Sequence, residues 1–377
     1  MPGAVGDALW NDLLAGTSYV RPLGCDLVAA WQLDRDRPPQ PWHSATPGEP
    51  TTVRRIASDQ LAVAAMQMVQ TQSGLPPADP DRFGLSIGGS KGMLGLPAEA
   101  YEQATFPDLI APTTPLGHIA RFTPSSRMSC SVAACATGLV SLIQAARWIR
   151  WNECDAAIAG SADASLNPAV LASYRRLGVL SAGQPSPFGR DRDGFVISEG
   201  AALLALEEEQ HAAARGTEPL AIWAGEDLRS DGSGLVQTDA SGEAVAVTVG
   251  NALEAAGVPP RAIDAICLHG TGTRQNDRSE GRGLRRVFGD RLRSIPAVSV
   301  KGAWGHALGA AGSLETAVCV QMLRDQVVPP HLMHGPVDPA CEVAGFAPVA
   351  REMPLRHVLK VSLGFGGHIA AAVLSRA

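Results

Sequence analysis

One cysteine and two histidines occupy positions that suit nucleophilic chemistry. Cys135 lies in SCSVAACATGLVSL, between a predicted strand and the predicted amphipathic helix Thr137–Asn152. A thiol at the start of a helix is close to the positive end of the helix dipole and to free N–H groups, which favour the thiolate. His269 ends the stretch AICLH, and His306 lies in SVKGAWGHALGAAG, each shortly after a predicted buried strand. We therefore predict a site with a thiolate nucleophile and two imidazole donors.

Other motifs give weaker indications of chemistry. The segment Gly84–Gly88 reads GLSIG and matches G-x-S-x-G, but the GSKGMLGLP that follows is a poor helix start, so a hydrolase built on Ser86 is a minor alternative. The sequence contains no P-loop and no G-x-G-x-x-G after a strand. His331 and His334 have no third ligand beside them, and no C-x-x-C occurs. We expect neither a nucleotide nor a metal.

The elements that must position these residues alternate along the chain. Short apolar runs predict strands, and longer runs with helical periodicity predict helices. The predicted strands are 82–88, 128–133, 155–160, 201–206, 221–225, 265–269, 297–301, 357–363 and 369–374. This order predicts an α/β fold with largely parallel sheets in two similar halves, residues 1–215 and 216–377. The first half carries the cysteine and the second carries both histidines.

Composition excludes several classes of protein. The chain has 377 residues, of which 45% are hydrophobic and 18% charged, so it can bury a large core. The net charge of −6 argues against a nucleic-acid binder. No apolar run approaches the roughly 18 residues of a membrane span, and no signal peptide is evident. Seven scattered cysteines, an odd number, favour a reduced, cytoplasmic protein over a disulfide framework.

Five segments in order resemble the β-ketoacyl-acyl-carrier-protein synthase (ketosynthase) family of the thiolase superfamily, over nearly the whole chain. They are VAACATG around Cys135, the segment Ser186–Glu208, HGTGTRQND, KGAWGHALGAAGSLE and the turn GFGG. The Cys-His-His set resembles the elongating class, because the initiating synthases pair Cys with His and Asn. Degradative thiolases carry a second cysteine near the C-terminal turn, and none lies near Gly364.

The resemblance implies a thiolase-like fold, with two similar βαβ halves in a layered α-β-α-β-α core. It also implies a transferase that performs a decarboxylative Claisen condensation of an acyl thioester with malonyl-carrier protein, in fatty-acid-like or polyketide biosynthesis. Phosphopantetheine arrives on the acyl carrier protein substrate, so the enzyme needs no cofactor of its own. The family implies a homodimer, or a heterodimer with a ketosynthase-like subunit. An acidic carrier protein needs a basic patch. The candidates are Arg147 and Arg150 with Arg175 and Arg176, or the cluster of Arg282, Arg285, Arg286, Arg291 and Arg293. A solvated helix face is the alternative interpretation of either group.

The resemblance also assigns roles to residues at matching positions. Cys135 is the nucleophile, and His269 and His306 stabilise the enolate formed as carbon dioxide leaves. The N–H groups of Cys135 and Phe365 form the oxyanion hole, and Phe365 and Tyr174 form an aromatic gate. Lys301 with Glu315 organises the site near His306, and Asp277 supports the histidine loop. Thr271 and Thr273 contact pantetheine.

The chain departs from the family pattern at its first strand and at its C-terminal turn, and Gly302 and Ser161 also replace commoner residues. The usual Val-rich first strand ending in Thr-Gly is absent, and His368-Ile369 stands where Thr-Asn usually follows the C-terminal glycines. These departures favour a specialised, polyketide-type synthase. Two alternatives stay open: a partner subunit resembling a chain-length factor, and an acyltransferase that uses the same cysteine without decarboxylation.

Overall fold

The computed structural model describes residues 4–23, 26–29, 58–75, 79–91, 113–166, 168–234 and 238–377. Within these ranges helices and strands alternate, as the apolar periodicity predicts. The helices are α1 (Ala4–Leu14), α2 (Ser58–Ser73), α3 (Thr114–Ala120), α4 (Thr137–Arg150), α5 (Pro168–Arg176), α6 (Glu209–Ala214), α7 (Glu243–Ala255), α8 (Arg274–Phe288), α9 (Lys301–Trp304) and α10 (Ala311–Asp325). The strands are β1 (Val20–Leu23), β2 (Asp26–Ala29), β3 (Phe83–Gly88), β4 (Arg127–Ser129), β5 (Ala156–Asp163), β6 (Ile197–Ser198), β7 (Gly200–Glu207), β8 (Ile222–Ser230), β9 (Ala265–Cys267), β10 (Ala297–Val298), β11 (Val327–Val328), β12 (Arg351–Glu352), β13 (His357–Gly364) and β14 (His368–Ser375).

Two sheets with matching strand order form the framework. The first has the order β4-β3-β5-β7, and the second has the order β10-β9-β13-β14-β8. In each, the first three strands are parallel and the fourth is antiparallel to the third. The second sheet adds β8 antiparallel to β14. In the described ranges no strand pairs with the outer edge of β7.

Helices α4 and α10 form a layer between the two sheets. One face of α4 packs through Leu139 and Ile143 in a core shared with the second sheet, and the other packs through Leu142 and Trp148 against the first. The two helices cross so closely that a Cβ on Gly138 would lie 2.4 Å from the backbone nitrogen of Ser313. Glycine is therefore required there to keep both helix starts near one another.

Further helices cover the outer faces of the sheets. Helices α2 and α3 share a core with β3 and β5, and helices α7 and α8 share one with β9, β13 and β14. The order of layers is therefore α-β-α-β-α, which confirms the predicted layered α/β fold. Within the described ranges no helix is both long and apolar enough to span a bilayer.

Three predicted strands end earlier in the structure. β4 ends at Ser129, β9 at Cys267 and β10 at Val298, because the chain there leaves the sheets to form the turns that carry the candidate residues. Ser86 lies inside β3, paired with β4 and β5, and is fully buried. The strand-to-helix elbow that G-x-S-x-G needs does not form, so the hydrolase alternative is wrong.

Candidate active site

Cys135 lies in a short 3₁₀ turn, Ala134–Ala136, directly before α4. The turn is held by Thr137, whose hydroxyl accepts from the Ala133 N–H at 2.8 Å and donates to the Ala134 carbonyl at 2.7 Å. Burial raises the pKa of the Cys135 thiol to about 11, while the nearby ammonium groups of Lys91 and Lys301 oppose this rise. The sequence led us to expect a depressed pKa, but here desolvation outweighs the favourable charges. The resting thiol is therefore protonated at neutral pH.

The C-terminal turn packs directly on the nucleophile turn. A Cβ on Gly364 would lie 2.4 Å from the Ala133 carbonyl oxygen and 3.3 Å from the Cys135 backbone nitrogen. This close approach brings the backbone that leads into Phe365 beside that of Cys135. The predicted oxyanion hole needs these two backbones to be neighbours.

Apolar and aromatic side chains surround the thiol. Cys135 shares a core with Tyr174 and Phe195, and Phe365 packs against this core. The rings of Tyr174 and Phe365 are stacked at 6.3 Å, and Tyr174 meets Phe195 edge to face at 5.8 Å. The structure thus brings the predicted gate pair together next to the nucleophile. Lys91 Nζ lies 5.4 Å from the centroid of the Tyr174 ring, a position that sequence reasoning did not anticipate.

His306 is fully buried, and two hydrogen bonds of its main chain hold it in place. Its N–H donates to the Val196 carbonyl at 2.6 Å, and its carbonyl accepts from the Ser198 N–H at 3.0 Å. The imidazole meets the rings of Phe195 and His269 edge to face, at 4.9 Å and 5.5 Å. Neither ring nitrogen has a hydrogen-bond partner among the described residues. A buried polar group without a partner is costly, so this imidazole is poised to bind a substrate atom.

His269 is held in place by the side chains of Glu280 and Lys301. Glu280 accepts hydrogen bonds from the backbone N–H groups of His269 and Gly270, at 2.6 Å and 2.8 Å. Lys301 donates to the His269 carbonyl, and its Nζ lies 3.4 Å from Nδ1. Because an ammonium can only donate, Nδ1 must accept, and the ring proton is left on Nε2. This makes His269 a neutral donor.

Both imidazoles are kept neutral. Burial, followed by the charge of Lys301, lowers the pKa of His269 and of His306 well below the ordinary value. Two neutral N–H donors in a buried site are suited to a developing oxyanion, since a charge-stabilising hydrogen bond is stronger where water is excluded.

Lys301 and Glu315 form a buried ion pair behind the histidines. The sequence placed this pair near His306, but the direct contacts of Lys301 are with His269. The reason is that Lys301 begins α9 directly after the strand that neighbours the His269 strand.

Asp277 links the histidine loop to the central segment of the chain. Its carboxylate accepts from the Phe188 N–H at 2.7 Å and from the Gly272 N–H at 3.2 Å. Arg192, also fully buried, lies 3.3 Å from Asp277 and 2.7 Å from Asp338. Asp277 thus contacts the histidine loop through Gly272, and its supporting role stays a prediction.

Thr271 and Thr273 lie in the same loop. Their hydroxyl oxygens are 2.9 Å apart, with Thr271 buried and Thr273 partly exposed. Their role towards pantetheine stays a prediction.

Sequence reasoning missed four charged groups around the site, namely Lys91, Arg192, Glu280 and Lys360. A signal was present for Glu280, because it follows Asp277 by one helical turn and so shares its inward face of α8. The described residues contain no cluster of three or more His, Cys, Asp or Glu side chains suited to a metal ion. Cys25 lies outside the described residues, and the six other cysteines are free thiols.

Comparisons with known proteins agree with this geometry. The family model for the beta-ketoacyl synthase N-terminal domain matches residues 3–212, and the model for the C-terminal domain matches residues 220–334. The 3-oxoacyl-[acyl-carrier-protein] synthase 2 of Mycobacterium bovis is 38% identical over 253 residues, which cover 65% of this chain and 60% of that protein. In that match the chain thus spans about 60% of the relative's length.

Longer matches come from polyketide systems. The ketoacyl synthase alpha subunit of the tetracenomycin polyketide synthase of Streptomyces glaucescens is 32% identical, covering 100% of this chain and 94% of that subunit. The solved AntDE:AntF structure, a type II polyketide ketosynthase with its acyl-carrier protein, superposes with a TM-score of 0.85. The two share 26% identity, over 100% of this chain and 96% of that one. Sequence, fold and site together show that the chain belongs to the beta-ketoacyl synthase family, whose members are condensing transferases.

Proposed function

We propose that this protein is an acyltransferase of the β-ketoacyl-acyl-carrier-protein synthase type, which joins an acyl group to a malonyl unit with loss of carbon dioxide. The observation that carries the proposal is the pair of neutral, buried imidazoles, with both nitrogens of His306 unpartnered among the described residues. A partner subunit without catalysis would need neither this pair nor the adjacent buried thiol.

The first step is acyl transfer to Cys135. The thiol sulfur attacks the carbonyl of an acyl thioester, the bond to the carrier's phosphopantetheine sulfur breaks, and the thiol proton passes to that leaving sulfur. The tetrahedral oxyanion is stabilised by the N–H groups of Cys135 and Phe365.

The second step uses the histidines. A malonyl thioester binds with its carbonyl oxygen facing His269 Nε2–H and the N–H of His306. The bond to the carboxylate breaks, carbon dioxide leaves, and the electron pair forms an enolate that both donors stabilise. The enolate carbon then attacks the acyl carbonyl carbon, the bond from that carbonyl carbon to the Cys135 sulfur breaks, and the thiolate takes up one proton from solvent. The apolar surroundings of Cys135 exclude water, which would otherwise hydrolyse the acyl-enzyme.

The proposed partner is an acyl carrier protein, and the polyketide relatives favour a polyketide-type pathway. Of the two predicted basic patches, Arg147 and Arg150 are engaged by Glu226, at 3.5 Å and 2.6 Å. Arg282 and Arg286 instead donate to backbone carbonyls, so their charges are not cancelled by those contacts, whereas Arg285 between them pairs with Asp290 and Glu342. The patch on α8 is therefore the better candidate for an acidic carrier.

Mass spectrometry with acyl- and malonyl-carrier proteins tests the proposal. We expect an acyl adduct on Cys135, carbon dioxide release and a condensed product, with the adduct lost in Cys135→Ala. Acylation without carbon dioxide release would instead support the non-decarboxylating acyltransferase. The absence of any adduct, with or without a ketosynthase-like partner, would favour the partner-subunit alternative.

A further inference from the structure

A second buried lysine lies beneath the histidine pair. Lys360 is in the middle of β13, between β9 and β14, where it pairs in register with Cys267 and Ala372. It is fully buried. A charge in a central strand is very costly unless it is paired, so its partner matters.

The partner of Lys360 is the carboxylate that also holds Lys301. Lys360 Nζ lies 2.8 Å from Glu315 Oε2, and Lys301 contacts Glu315 Oε1. In the described part of the chain, Glu315 is the only carboxylate within ion-pair distance of either lysine. A continuous line of contacts therefore runs from Lys360 through Glu315 and Lys301 to His269.

The cluster has more positive than negative charge. Two ammonium groups share one carboxylate, so a net positive charge lies behind the imidazoles. Lys360 also donates to the Val361 carbonyl. The other ionisable side chains facing it are the thiols of Cys267 on β9, whose sulfur lies 3.8 Å from the Glu315 carbonyl, and Cys319 on α10. The charge of Lys360 contributes to the lowered pKa of both His269 and His306. The charged groups acting on Cys135 are instead Lys91, Lys301, Asp163 and Glu315.

We propose that Lys360 is a positioning residue for decarboxylation: through Glu315 it fixes the Lys301 ammonium against His269, and its charge favours the anionic stage of the reaction. The proposal rests on the proposed function. It predicts a split effect, in which loss of the charge weakens enolate formation and spares transfer of the acyl group to Cys135.

Lys360→Met removes the charge and keeps the length of the side chain. The remaining Lys301 and Glu315 form a balanced pair, so we expect this variant to fold. Lys360→Gln keeps a polar side chain without the charge and serves as the second variant. Leu359→Met, at the adjacent buried position in the same strand, is the matched control because it packs in the core on the other side of the sheet.

Two rates are measured in each variant: carbon dioxide release from malonyl-carrier protein and acylation of Cys135. We expect both Lys360 variants to release carbon dioxide about tenfold more slowly, a typical effect of one charge in a site of low effective dielectric, with acylation within threefold of the parent. Leu359→Met should change neither rate. Equal loss of both rates, or unchanged carbon dioxide release in Lys360→Gln, would overturn the proposal.

A histidine titration by NMR, with ring-labelled histidine, separates this proposal from the proposed function. We expect Lys360→Met to raise the pKa of His269 and His306, whether or not the parent condenses substrates. If the parent releases no carbon dioxide but the titration shifts, the proposed function fails and the role of Lys360 in the site remains. An unshifted titration overturns the role of Lys360.

Discussion

Replacing Gly364 with alanine tests how closely the C-terminal turn positions the nucleophile. The added Cβ would lie 2.4 Å from the Ala133 carbonyl oxygen, whereas real Cβ contacts essentially never fall below 3.0 Å. The neighbouring backbone must therefore move by at least about 0.6 Å. All the atoms that would collide belong to the backbone of the Cys135 turn, so none can rotate away. A misplacement of about 1 Å at a reacting centre costs on the order of 100-fold in rate.

We expect Gly364→Ala to slow acylation of Cys135 by roughly 30- to 100-fold. Overpacking should cost about 1–3 kcal/mol of unfolding free energy, so the protein should remain folded. Acylation is followed by intact-protein mass spectrometry with an acyl thioester, and folding by thermal and urea unfolding. Gly250→Ala is the control, because no atom lies within 4 Å of its added Cβ and its site is helical. A folded Gly364→Ala protein with acylation within threefold of the parent would refute the reasoning.

Three further predictions concern the buried charges and the helix crossing. Glu315→Gln leaves two buried cations facing each other, so it should lower the free energy of unfolding in urea by about 3–5 kcal/mol. Lys301→Met leaves Glu315 paired with Lys360 and should lower it less. An equal loss in the two variants would contradict a carboxylate shared by both lysines. Burial raises the pKa of Glu280 from 4.5 to about 7, so the folded state retains a proton that the unfolded state loses. Stability should therefore fall by about 3 kcal/mol as pH rises from 4.5 to 7, and a pH series of urea melts should show a flatter profile in Glu280→Gln. Gly138→Ala should lower the melting temperature and reduce the free energy of unfolding by about 1–3 kcal/mol, because its Cβ would lie 2.4 Å from the Ser313 nitrogen. An unchanged melting temperature would show that α4 and α10 can separate freely.

The fold and the candidate residues of the site could be predicted from the sequence because both leave local signals. Strand and helix periodicities mark the layers, and Cys135, His269 and His306 each follow a strand among small residues. The pKa of Cys135 was not predictable in the same way. It depends on burial, which only the packing of both halves determines.

The buried ion pairs behind the histidines could not be predicted from the sequence for a related reason. Lys360 lies in the apolar segment HVLKVSLG, where alternation alone suggests a solvent-facing lysine. Its actual partner, Glu315, is 45 positions away and belongs to another layer. Long-range pairs of this kind leave no trace in local spacing.

The crossing of α4 and α10 has a consequence for how the protein unfolds. Each face of α4 belongs to the core of a different sheet, so neither sheet can lose its contacts without exposing the core of the other. The two halves should therefore unfold in one cooperative transition, and amide hydrogens in β5 and β13 should exchange with similar protection. On the proposed function, we therefore expect the site between the two halves to stay rigid, so that access to Cys135 depends on side-chain rotation at Tyr174 and Phe365 rather than on separation of the halves.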